Sequence, residues 1–467
     1  MFFIQRWDIL EGSRREEHRM RIVIIGGNAA GLNAASAARK TNREAEIVLI
    51  ESEDKPAYSR CAIPHVISGE IDSFNRLIVY PMSYYRMMKI DLRLETTAKW
   101  IDVKERRVGI EYGGEEEVMD YDRLILATGS KVFIPPIKGR ELQGVYALRT
   151  IADGERLLEV VKRASSAVVV GGGLIGLEMA VALRQRGLEV TLVEMLPQIA
   201  PNMLDEDMAQ LLQKRLEGGG IRIFTGSRVE EIEGGDRVHS VRFSGGRAEA
   251  DLVIMATGVR PNTDLAREAG IRIGETRAIR VNQRMETSAE DVYAAGECAE
   301  AINLVTGRPV LSQVGTTAVK EGRVAGINAA GGYTTFPGVL NSSVSKLLDV
   351  EVGSTGLTER MAEAQGLKTI SGKVVGKTRA RYYPGAKDLS VKLVFDRETL
   401  RLVGAQIIGG EGVTHRINTL SMAIRAGMDV WDLAKAENCY TPPLSETWEP
   451  SLHGASEAVL SKLLRRR

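Results

Sequence analysis

Residues 21–31 read Arg-Ile-Val-Ile-Ile-Gly-Gly-Asn-Ala-Ala-Gly, an apolar run that passes directly into a glycine-rich turn. Such continuous hydrophobicity is typical of a strand that is covered on both faces of a parallel sheet. The small residues that follow predict a helix over residues 32–40, and residues 46–51 predict a second strand that ends in Glu51. This order of strand, glycine turn, helix and strand predicts a dinucleotide-binding fold.

The same pattern occurs a second time along the chain. Residues 167–170 form an apolar run, and the turn after it, Gly171-Gly172-Gly173-Leu174-Ile175-Gly176, has the complete spacing of three glycines. A helix to residue 186 and a strand over residues 190–194, which ends in Glu194, complete the unit. A strand that ends in Ala-Thr-Gly follows each copy, at residues 124–129 and 253–258. The sequence therefore predicts two dinucleotide-binding folds of the α/β class.

The residue types in these turns suit a phosphate ligand. Glycines let the backbone approach a pyrophosphate, which then lies at a helix N-terminus with free N–H groups. Glu51 and Glu194 stand where an acid accepts hydrogen bonds from ribose hydroxyls. Asn28 replaces the second glycine of the first turn, and asparagine tolerates left-handed backbone angles better than most residues. One imperfect turn would also fit plain helix–strand packing, but two turns in one chain favour cofactor binding.

The composition limits what the chain can bind. Among 467 residues, 62 are Lys or Arg and 61 are Asp or Glu, so the net charge of +1 gives no overall field that would attract nucleic acid or an anionic membrane. The longest apolar stretch, residues 167–183, contains glycines and Glu178 and is too short to span a bilayer. We therefore expect small-molecule chemistry, with neither a nucleic-acid nor a membrane partner.

The cysteines and the N-terminal residues indicate a cytoplasmic location. Cys61, Cys298 and Cys439 are too few and too far apart for a disulfide framework or a zinc site, so we predict no metal site. Residues 1–19 lack the apolar core and the cleavage site of a secretion signal, and we expect them to be an extension or a mis-assigned start. A reducing compartment agrees with both observations.

A third region follows the two folds. Residues 317–328 predict a helix, and beyond residue 333 the pattern changes to alternating strands such as residues 390–395 and 402–408. Helices are predicted around residues 416–426 and 456–464. This mixture predicts an α+β unit.

The order of these motifs resembles that of the pyridine nucleotide–disulfide oxidoreductase superfamily over residues 20–467. The resemblance implies an FAD-binding domain, an NAD(P)H-binding domain and a C-terminal dimerisation domain, which makes a homodimer with an active site shared across its interface. The corresponding ranges are residues 20–144 with 270–332, residues 145–269, and residues 333–467.

The resemblance also implies the cofactor contacts, residue by residue. For FAD they are Gly26, Asn28, Ala30, Gly31, Glu51, Arg60, Ala98, Thr128, Gly129, Glu297, Thr317 and Ala318. For NAD(P)H they are Gly171, Gly173, Leu174, Ile175, Gly176, Glu178, Glu194 and Gly258. Because the Glu194 carboxylate would repel a 2′-phosphate, NADH is the favoured cofactor.

The segment Tyr58-Ser59-Arg60-Cys61-Ala62-Ile63-Pro64 carries the reactive candidate. Proline three residues after Cys61 predicts a helix start, and a thiol at a helix N-terminus is favoured as thiolate. The Arg60 guanidinium would favour the thiolate and an anionic sulfur substrate as well. An isolated cysteine is more often a small buried apolar residue. In this context, however, Cys61 resembles the single redox cysteine of coenzyme A-disulfide reductases, NADH oxidases and NADH peroxidases, and it has no second cysteine nearby.

Three tyrosines resemble those that coenzyme A-disulfide and persulfide reductases send into the partner subunit's site. They lie in Tyr382-Tyr383-Pro384-Gly385 and in Tyr440-Thr441-Pro442-Pro443. A phenol there can donate a proton to a departing thiolate. The alternative for Tyr382 and Tyr383 is that they lie on a strand, one packed in the core and one facing out. Lys40 and Arg60 are the candidates for contacts with the substrate.

Together these features predict a FAD-dependent NAD(P)H oxidoreductase that reduces a sulfur–sulfur bond through Cys61. The acceptor is coenzyme A disulfide, a coenzyme A persulfide or a polysulfide, and coenzyme A is then a substrate or a bound ligand. An NADH oxidase that cycles through a cysteine sulfenic acid is the alternative, although Ala29 stands where such enzymes commonly carry histidine. A flavoprotein that passes electrons to a protein partner such as rubredoxin is the alternative of another class.

Overall fold

The structure, a computed structural model, describes residues 19–465, so all but the last residue of the predicted N-terminal extension lies outside it. The chain opens with strands β1 (Arg21–Ile25), β2 (Glu46–Ile50), β3 (Ile90–Arg93), β4 (Thr96–Asp102), β5 (Arg107–Tyr112), β6 (Glu115–Asp120), β7 (Arg123–Leu126) and β8 (Ser130–Val132). The helices between them are α1 (Ala29–Thr41), α2 (Ile63–Ser68) and α3 (Met82–Met87), with 3-10 turns at Arg60–Ala62 and Phe74–Leu77.

The second part of the chain repeats this arrangement. Its strands are β9 (Val145–Tyr146), β10 (Ser166–Val170), β11 (Glu189–Val193), β12 (Ile221–Phe224), β13 (Val229–Gly234), β14 (Val238–Phe243), β15 (Gly246–Glu249), β16 (Leu252–Met255) and β17 (Val259–Pro261). Its helices are α4 (Ile151–Val161), α5 (Leu174–Gln185), α6 (Glu206–Gly218) and α7 (Asp264–Glu268).

The chain then returns to the first fold and ends in an α+β unit. The returning elements are β18 (Val292–Ala294), β19 (Ala301–Ile302), β20 (Pro309–Val310) and α8 (Gly315–Ala329). The C-terminal strands are β21 (Ser343–Leu347), β22 (Val350–Gly356), β23 (Thr369–Lys377), β24 (Asp388–Asp396) and β25 (Leu402–Gly409). The C-terminal helices are α9 (Glu359–Ala364), α10 (Val413–Ala426), α11 (Val430–Ala434) and α12 (Ala455–Leu464), with a π-helical turn at Pro450–Gly454.

Two parallel sheets form the dinucleotide-binding folds. Their strand orders are β18-β7-β1-β2-β3 and β12-β11-β10-β16-β9, so in each the strand before the glycine turn lies centrally. Each fold also carries an antiparallel sheet, β4-β5-β6 in the first and β13-β14-β15 in the second. The buried faces of β1 and β10 explain why their sequences are apolar without alternation.

The C-terminal sheet is antiparallel, in the order β21-β22-β25-β24-β23, with α10 against β22 and β25 and α12 against β23. The antiparallel pair β8 and β17 links the two dinucleotide-binding folds. Helix α2 of the first fold packs against α5 of the second, and α5 packs against β21. Three parts of the chain therefore meet around α5. Within residues 19–465, no helix has the length and apolar character needed to cross a bilayer.

Candidate active site between the two dinucleotide-binding folds

The first glycine turn leaves room for glycine only. Gly26 has a φ of +103°, and a Cβ atom there would lie 2.2 Å from the carbonyl oxygen of Ala127. A Cβ atom on Gly31 would lie 1.7 Å from the carbonyl oxygen of Gly26. The turn, strand β7 and helix α1 are thus in direct backbone contact, as a phosphate-binding turn requires.

Glu51 and Asn28 hold this turn in place. The backbone N–H of Gly27 donates to Oε2 of Glu51 at 2.8 Å, and Oε1 accepts from the N–H of Glu53 at 3.0 Å. Asn28 is the N-cap of α1, and its Oδ1 accepts from the N–H of Ala29 at 2.8 Å. Because of this cap, α1 begins at Ala29, earlier than the predicted residue 32.

The second turn repeats the first almost atom for atom. Gly171 has a φ of +109°, and a Cβ atom on Gly176 would lie 2.0 Å from the carbonyl oxygen of Gly171. Glu194 accepts from the N–H of Gly172 at 2.5 Å and from the N–H of Leu196 at 2.7 Å. In contrast, a Cβ atom on Gly173 would meet no atom within 4 Å. The open side of this turn therefore faces free space.

A cavity of about 1020 Å³ begins at this open side and runs to the first fold and the C-terminal domain. It reaches Gly171 and Gly173 at one end and Glu297 and Val314, just before α8, at the other. Helix α5 has Gly173 as N-cap without a side-chain cap, so its first N–H groups are left for a ligand. The open glycine turn and the size of the cavity fit a nicotinamide dinucleotide next to a flavin.

Cys61 lies in the 3-10 turn that leads into α2, with Pro64 in the first turn of that helix. Its side chain is accessible to solvent, yet the surrounding protein desolvates the thiol. This desolvation, and then the charges of Glu178 and Glu297, raise the pKa of Cys61, while Arg149 lowers it. The expected lowering of the Cys61 pKa at a helix N-terminus is therefore not found, because desolvation and then the charges of two carboxylates outweigh it.

Arg149 connects the two folds at the thiol. Its guanidinium donates to Oε2 of Glu297 at 2.5 Å, and the hydroxyl of Ser130 donates to the same oxygen at 2.5 Å. Arg149 was not predicted from the sequence, although the Thr150–Asp153 capping box that starts α4 marks it as the residue before a helix N-cap. Glu297, expected at the flavin, thus also fixes the cation that acts on Cys61.

Arg60 does not face the thiol as expected. Its guanidinium pairs with Oε1 of Glu53 at 2.5 Å and lies 5.7 Å from the centre of the Tyr58 ring. The Tyr58 hydroxyl donates to the other Glu53 oxygen at 2.5 Å and accepts from the N–H of Ile151. Arg60 is therefore held by Glu53, and Arg149 is the guanidinium that lowers the pKa of Cys61.

Glu178 is partly buried on α5 and connects this helix to the C-terminal domain. The hydroxyl of Ser345, on β21, donates to its Oε1 at 2.7 Å. Desolvation raises the pKa of Glu178, whereas the hydrogen bond from Ser345 and the charge of His65 lower it. Ser345 carries no sequence signal, because its partner is 167 residues away.

The other predicted cofactor contacts lie on the same two folds. Thr128 and Gly129 follow β7, and Thr128 donates through its hydroxyl to the carbonyl oxygen of Asn262 at 2.6 Å. Ala98 lies on β4, and Lys40 is exposed in the last turn of α1. The remaining members are the buried Ala30, Thr317 and Ala318, the latter two near the start of α8, the cavity residues Leu174 and Ile175, and Gly258, which has a φ of +98°.

The three tyrosines lie on the surface of the C-terminal domain. The hydroxyls of Tyr382 and Tyr440 are 2.8 Å apart, and the two side chains are 74% and 46% exposed. Tyr382 and Tyr383 occupy a turn between β23 and β24, and Tyr383 is also exposed. The alternative of a strand with one of them in the core is therefore wrong, because Pro384 and Gly385 form a turn there.

No group of three or more potential metal ligands occurs within residues 19–465. Cys298 is buried, and its Sγ lies 3.4 Å from the carbonyl oxygens of Leu126 and Ala295. Arg184 donates to the carbonyl oxygen of Gly219, and Arg186 to carbonyl oxygens of α2. The guanidiniums of Arg184 and Arg186, which follow the second glycine turn, therefore both donate to backbone carbonyl oxygens.

Two dinucleotide-binding turns and one accessible cysteine, which precedes the helix of the first fold that packs against α5 of the second, are the features of a nicotinamide-dependent flavoprotein oxidoreductase. Comparison with protein families agrees. Residues 20–322 match the family described as pyridine nucleotide-disulphide oxidoreductase, and residues 343–452 match its dimerisation domain. The chain belongs to this pyridine nucleotide-disulphide oxidoreductase family, whose members use FAD and NAD(P)H, and it carries the family's dimerisation domain.

Individual relatives carry two kinds of name. An NADH oxidase from Methanocaldococcus jannaschii is 46% identical over 95% of this chain and 99% of its own length. An NAD(P)H coenzyme A polysulfide/persulfide reductase from Pyrococcus horikoshii is 34% identical over 96% of this chain and 99% of its own length. Among solved structures, an NAD-dependent persulfide reductase from A. fulgidus matches with a TM-score of 0.92 and 38% identity, over 96% of this chain and 84% of that one.

Proposed function

We propose that this enzyme uses NADH to reduce the sulfur–sulfur bond of a small acceptor, namely coenzyme A disulfide, a coenzyme A persulfide or a polysulfide. The observation that carries the proposal is Cys61, an accessible free thiol just before α2, the helix of the first fold that packs against α5 of the second. The names of the relatives from Pyrococcus horikoshii and A. fulgidus support a sulfur acceptor.

Cys61 performs the sulfur chemistry in this proposal. When bound, FAD carries electrons between the nicotinamide and Cys61. The Cys61 thiolate attacks one sulfur of the acceptor, the other sulfur leaves as a thiolate, and a mixed disulfide on Cys61 remains. Two electrons that originate from NADH then break this mixed disulfide, release the second thiolate and restore Cys61. One NADH and one proton thus convert one disulfide into two thiols.

Other residues prepare this step. Arg149 stabilises the Cys61 thiolate, and Glu194 accepts from the ribose of the nicotinamide cofactor. The phenols of Tyr440 and Tyr382 donate a proton to the leaving thiolate, and they come from the partner subunit of a homodimer. The exposed Lys40 attracts the anionic groups of a coenzyme A acceptor, whereas the ion pair with Glu53 compensates the charge of Arg60 and weakens the contribution expected of it.

An NADH oxidase is the second candidate, because the relative from Methanocaldococcus jannaschii carries that name. In that reaction peroxide, formed from oxygen with two electrons and two protons, oxidises the Cys61 thiolate to a sulfenic acid and releases hydroxide. Two further electrons and two protons reduce the sulfenic acid to thiol and water. Ala29, the first residue of α1, offers no acid–base group for peroxide chemistry at Cys61. The sulfur acceptor is therefore the better-supported choice.

Anaerobic stopped-flow absorbance of the flavin tests the proposal. Cys61→Ser should keep FAD and be reduced by NADH, but coenzyme A disulfide and polysulfide should no longer reoxidise it, because a hydroxyl cannot form the mixed disulfide. Cys439→Ser is the matched control and should reoxidise at the wild-type rate, since Cys439 directly precedes Tyr440 and neighbouring side chains on an extended segment point in opposite directions. Near-wild-type reoxidation of Cys61→Ser would contradict the proposal, and faster turnover with oxygen than with sulfur acceptors would favour the oxidase.

A further inference from the structure

Two segments of the C-terminal domain, the first with Tyr382 and the second with Tyr440, contact each other at two points. The two phenol hydroxyls lie 2.8 Å apart, and the N–H of Ala380 donates to the carbonyl oxygen of Pro442 at 3.3 Å. Each hydroxyl has one proton, so the hydrogen bond between them uses one proton and leaves the other free. Exposed side chains keep such a contact only where their backbones are held, because rotamer entropy opposes it.

Each segment is closed by its own hydrogen bonds. In the first segment, the N–H of Thr378 donates to the carbonyl oxygen of Lys387 at 2.9 Å, and the N–H of Lys387 donates to Oγ1 of Thr378 at 3.2 Å. In the second segment, the hydroxyl of Ser445 donates to the carbonyl oxygen of Cys439 at 2.9 Å. The second segment then leads to Glu449, the N-cap of the π-helical turn. Thr378 therefore closes the first segment, and Glu449 follows the second.

The guanidinium of Arg416, on α10, binds both of these residues. Its Nη2 donates to the carbonyl oxygen of Thr378 at 3.3 Å and to Oε2 of Glu449 at 3.1 Å. Its Nε donates to Oε1 of Glu449 at 2.8 Å, and its Nη1 donates to the carbonyl oxygen of Gly412 at 3.2 Å. The side chains of Arg416 and Glu449 are only 13% and 10% exposed, so solvent weakens their ion pair little. The planar guanidinium thus ties the two segments to the start of α10.

We propose that Arg416 is a positioning residue for the sulfur reduction: by binding both segments, it holds the hydroxyls of Tyr382 and Tyr440 within hydrogen-bond distance. One phenol then gives its free proton to the leaving thiolate, and its phenolate is stabilised by the hydrogen bond from the other phenol until water returns the proton. This role rests on the proposed function, which assigns the two phenols to the leaving thiolate.

Stopped-flow absorbance of the FAD-bound enzyme tests the kinetic side of the proposal. Arg416→Met should be reduced by NADH at the wild-type rate, but saturating coenzyme A disulfide should reoxidise it about 10- to 100-fold more slowly, because the proton donor is misplaced. In the Tyr382→Phe/Tyr440→Phe background the same substitution should cause no further slowing. Equal slowing in both backgrounds, or no slowing in either, would overturn the proposal.

Lys392→Met is the matched control, because it removes another buried cation of the same domain. The described ion pairs of Lys392 are with Asp205, Asp207 and Glu359, outside both tyrosine segments. Its reoxidation rate should match the wild type at a temperature where both proteins are folded. Slowing as large as that of Arg416→Met would be a general effect of lost stability and would overturn the proposal.

NMR of the enzyme labelled with carbon-13 at the tyrosine Cζ atoms gives a test without any sulfur acceptor. In the wild type, Tyr440→Phe should lower the pKa of Tyr382, because the hydrogen bond with Tyr440 raises it. In Arg416→Met the pKa of Tyr382 should already be lower, and Tyr440→Phe should not change it further. An unchanged pKa of Tyr382 in Arg416→Met would overturn the proposal. If this shift occurred but the wild type reduced no sulfur acceptor, the proposed function would fail and the hold of Arg416 on the tyrosine pair would be confirmed.

Discussion

We propose that Glu194 determines which nicotinamide cofactor the second fold accepts. Its carboxylate is buried at the end of β11, where two backbone N–H groups orient it. A ribose 2′-OH can donate to this carboxylate, whereas a 2′-phosphate is repelled, and every ~1.4 kcal/mol of repulsion changes the preference about tenfold. We expect kcat/KM to be higher for NADH than for NADPH and the ratio to narrow in Glu194→Gln. A wild-type preference for NADPH in steady-state kinetics would refute this role.

The buried carboxyl group of Glu321 should make the free energy of unfolding depend on pH. It is 1% exposed inside α8, with Oε2 accepting from the N–H of Gly296 at 2.8 Å and no hydrogen-bond partner described for Oε1. Burial raises the pKa of Glu321 to about 8 from 4.5. Because the unfolded chain releases this proton at lower pH, stability falls as the pH rises from about 4.5 to about 8.

Glu321→Gln mimics the neutral acid at every pH. At about pH 9 the variant should therefore have a higher Tm than the wild type, and its free energy of unfolding should be larger by on the order of a few kcal/mol. At about pH 4 the two proteins should have nearly the same Tm. Differential scanning fluorimetry at the two pH values measures this difference. An equal Tm difference at both would mean that folding does not raise the pKa of Glu321.

At the residue scale, the position of an acid at the end of the strand after each glycine turn could be predicted from near neighbours in the sequence. Glu51 and Glu194 contact the turns that precede them, and their role in binding a ribose stays a prediction. Arg149 and Ser345 were missed, because their partners lie 148 and 167 residues away in the sequence. Arg60 was given the wrong partner, because a neighbour in sequence need not point the same way in space.

In the strand–turn–helix element of the second fold, two glycines should have different roles, one in cofactor binding and the other in stability. Gly173 is the N-cap of α5 with a φ of −71°, and an added Cβ atom would lie in open space, so Gly173→Ala should fold and keep FAD. If this turn binds the cofactor pyrophosphate as proposed, the added methyl group would occupy part of that space, so the KM for NADH should rise. Steady-state kinetics, flavin content and Tm together check this expectation.

Gly176→Ala is the contrasting variant, because its Cβ atom would lie 2.0 Å from the carbonyl oxygen of Gly171. Such overpacking costs about 1–3 kcal/mol, so its Tm should fall. If both alanine variants had the same Tm and the same KM, the distinct roles assigned to the two glycines would be wrong.

At the scale of elements, the sequence predicted the type of most elements better than their ends. The predicted strands at residues 124–129 and 253–258 end at Leu126 and Met255, because the Ala-Thr-Gly that follows turns away, with Gly129 and Gly258 at positive φ. The helix predicted from residue 416 begins at Val413, where Gly412 in the left-handed region ends the preceding loop. Backbone hydrogen bonds and turns set these limits, and apolar patterns do not report them.

At the scale of the whole molecule, a buried ammonium group joins the second fold to the C-terminal domain. Lys392 on β24 is 6% exposed and contacts Asp205 at 3.1 Å, Asp207 at 2.9 Å and Glu359 at 2.5 Å. Lys392→Met leaves these carboxylates without their shared cation, which costs about 3–5 kcal/mol for a buried pair. We expect a clear loss of Tm in thermal unfolding of the FAD-bound enzyme.

Lys373→Met is the matched control, because the Lys373 ammonium contacts the same Asp207 at 2.9 Å but is more exposed. An exposed pair contributes only about 0–1 kcal/mol, so this variant should unfold near the wild-type temperature. Desolvation raises the pKa of Asp207, but hydrogen bonds from Lys373 and Lys392 lower it more, so that this pKa lies below its usual value. The ion pairs of Asp207 therefore stabilise the fold above about pH 4, and this stabilisation is lost as the pH falls through the lowered pKa. Equal losses in the two variants would contradict the importance of burial.

The hydrogen bonds that Glu51 and Glu194 accept from the two glycine turns should affect the rate at which a dinucleotide binds. Gly27 is tied to Glu51 and Gly172 to Glu194 by protein groups alone, so both phosphate cradles are preorganised. Ligand capture then loses little loop entropy and requires no rearrangement of either turn before the pyrophosphate can dock. Association of each dinucleotide should accordingly follow simple second-order kinetics, with a rate proportional to ligand concentration and no plateau from a slow isomerisation.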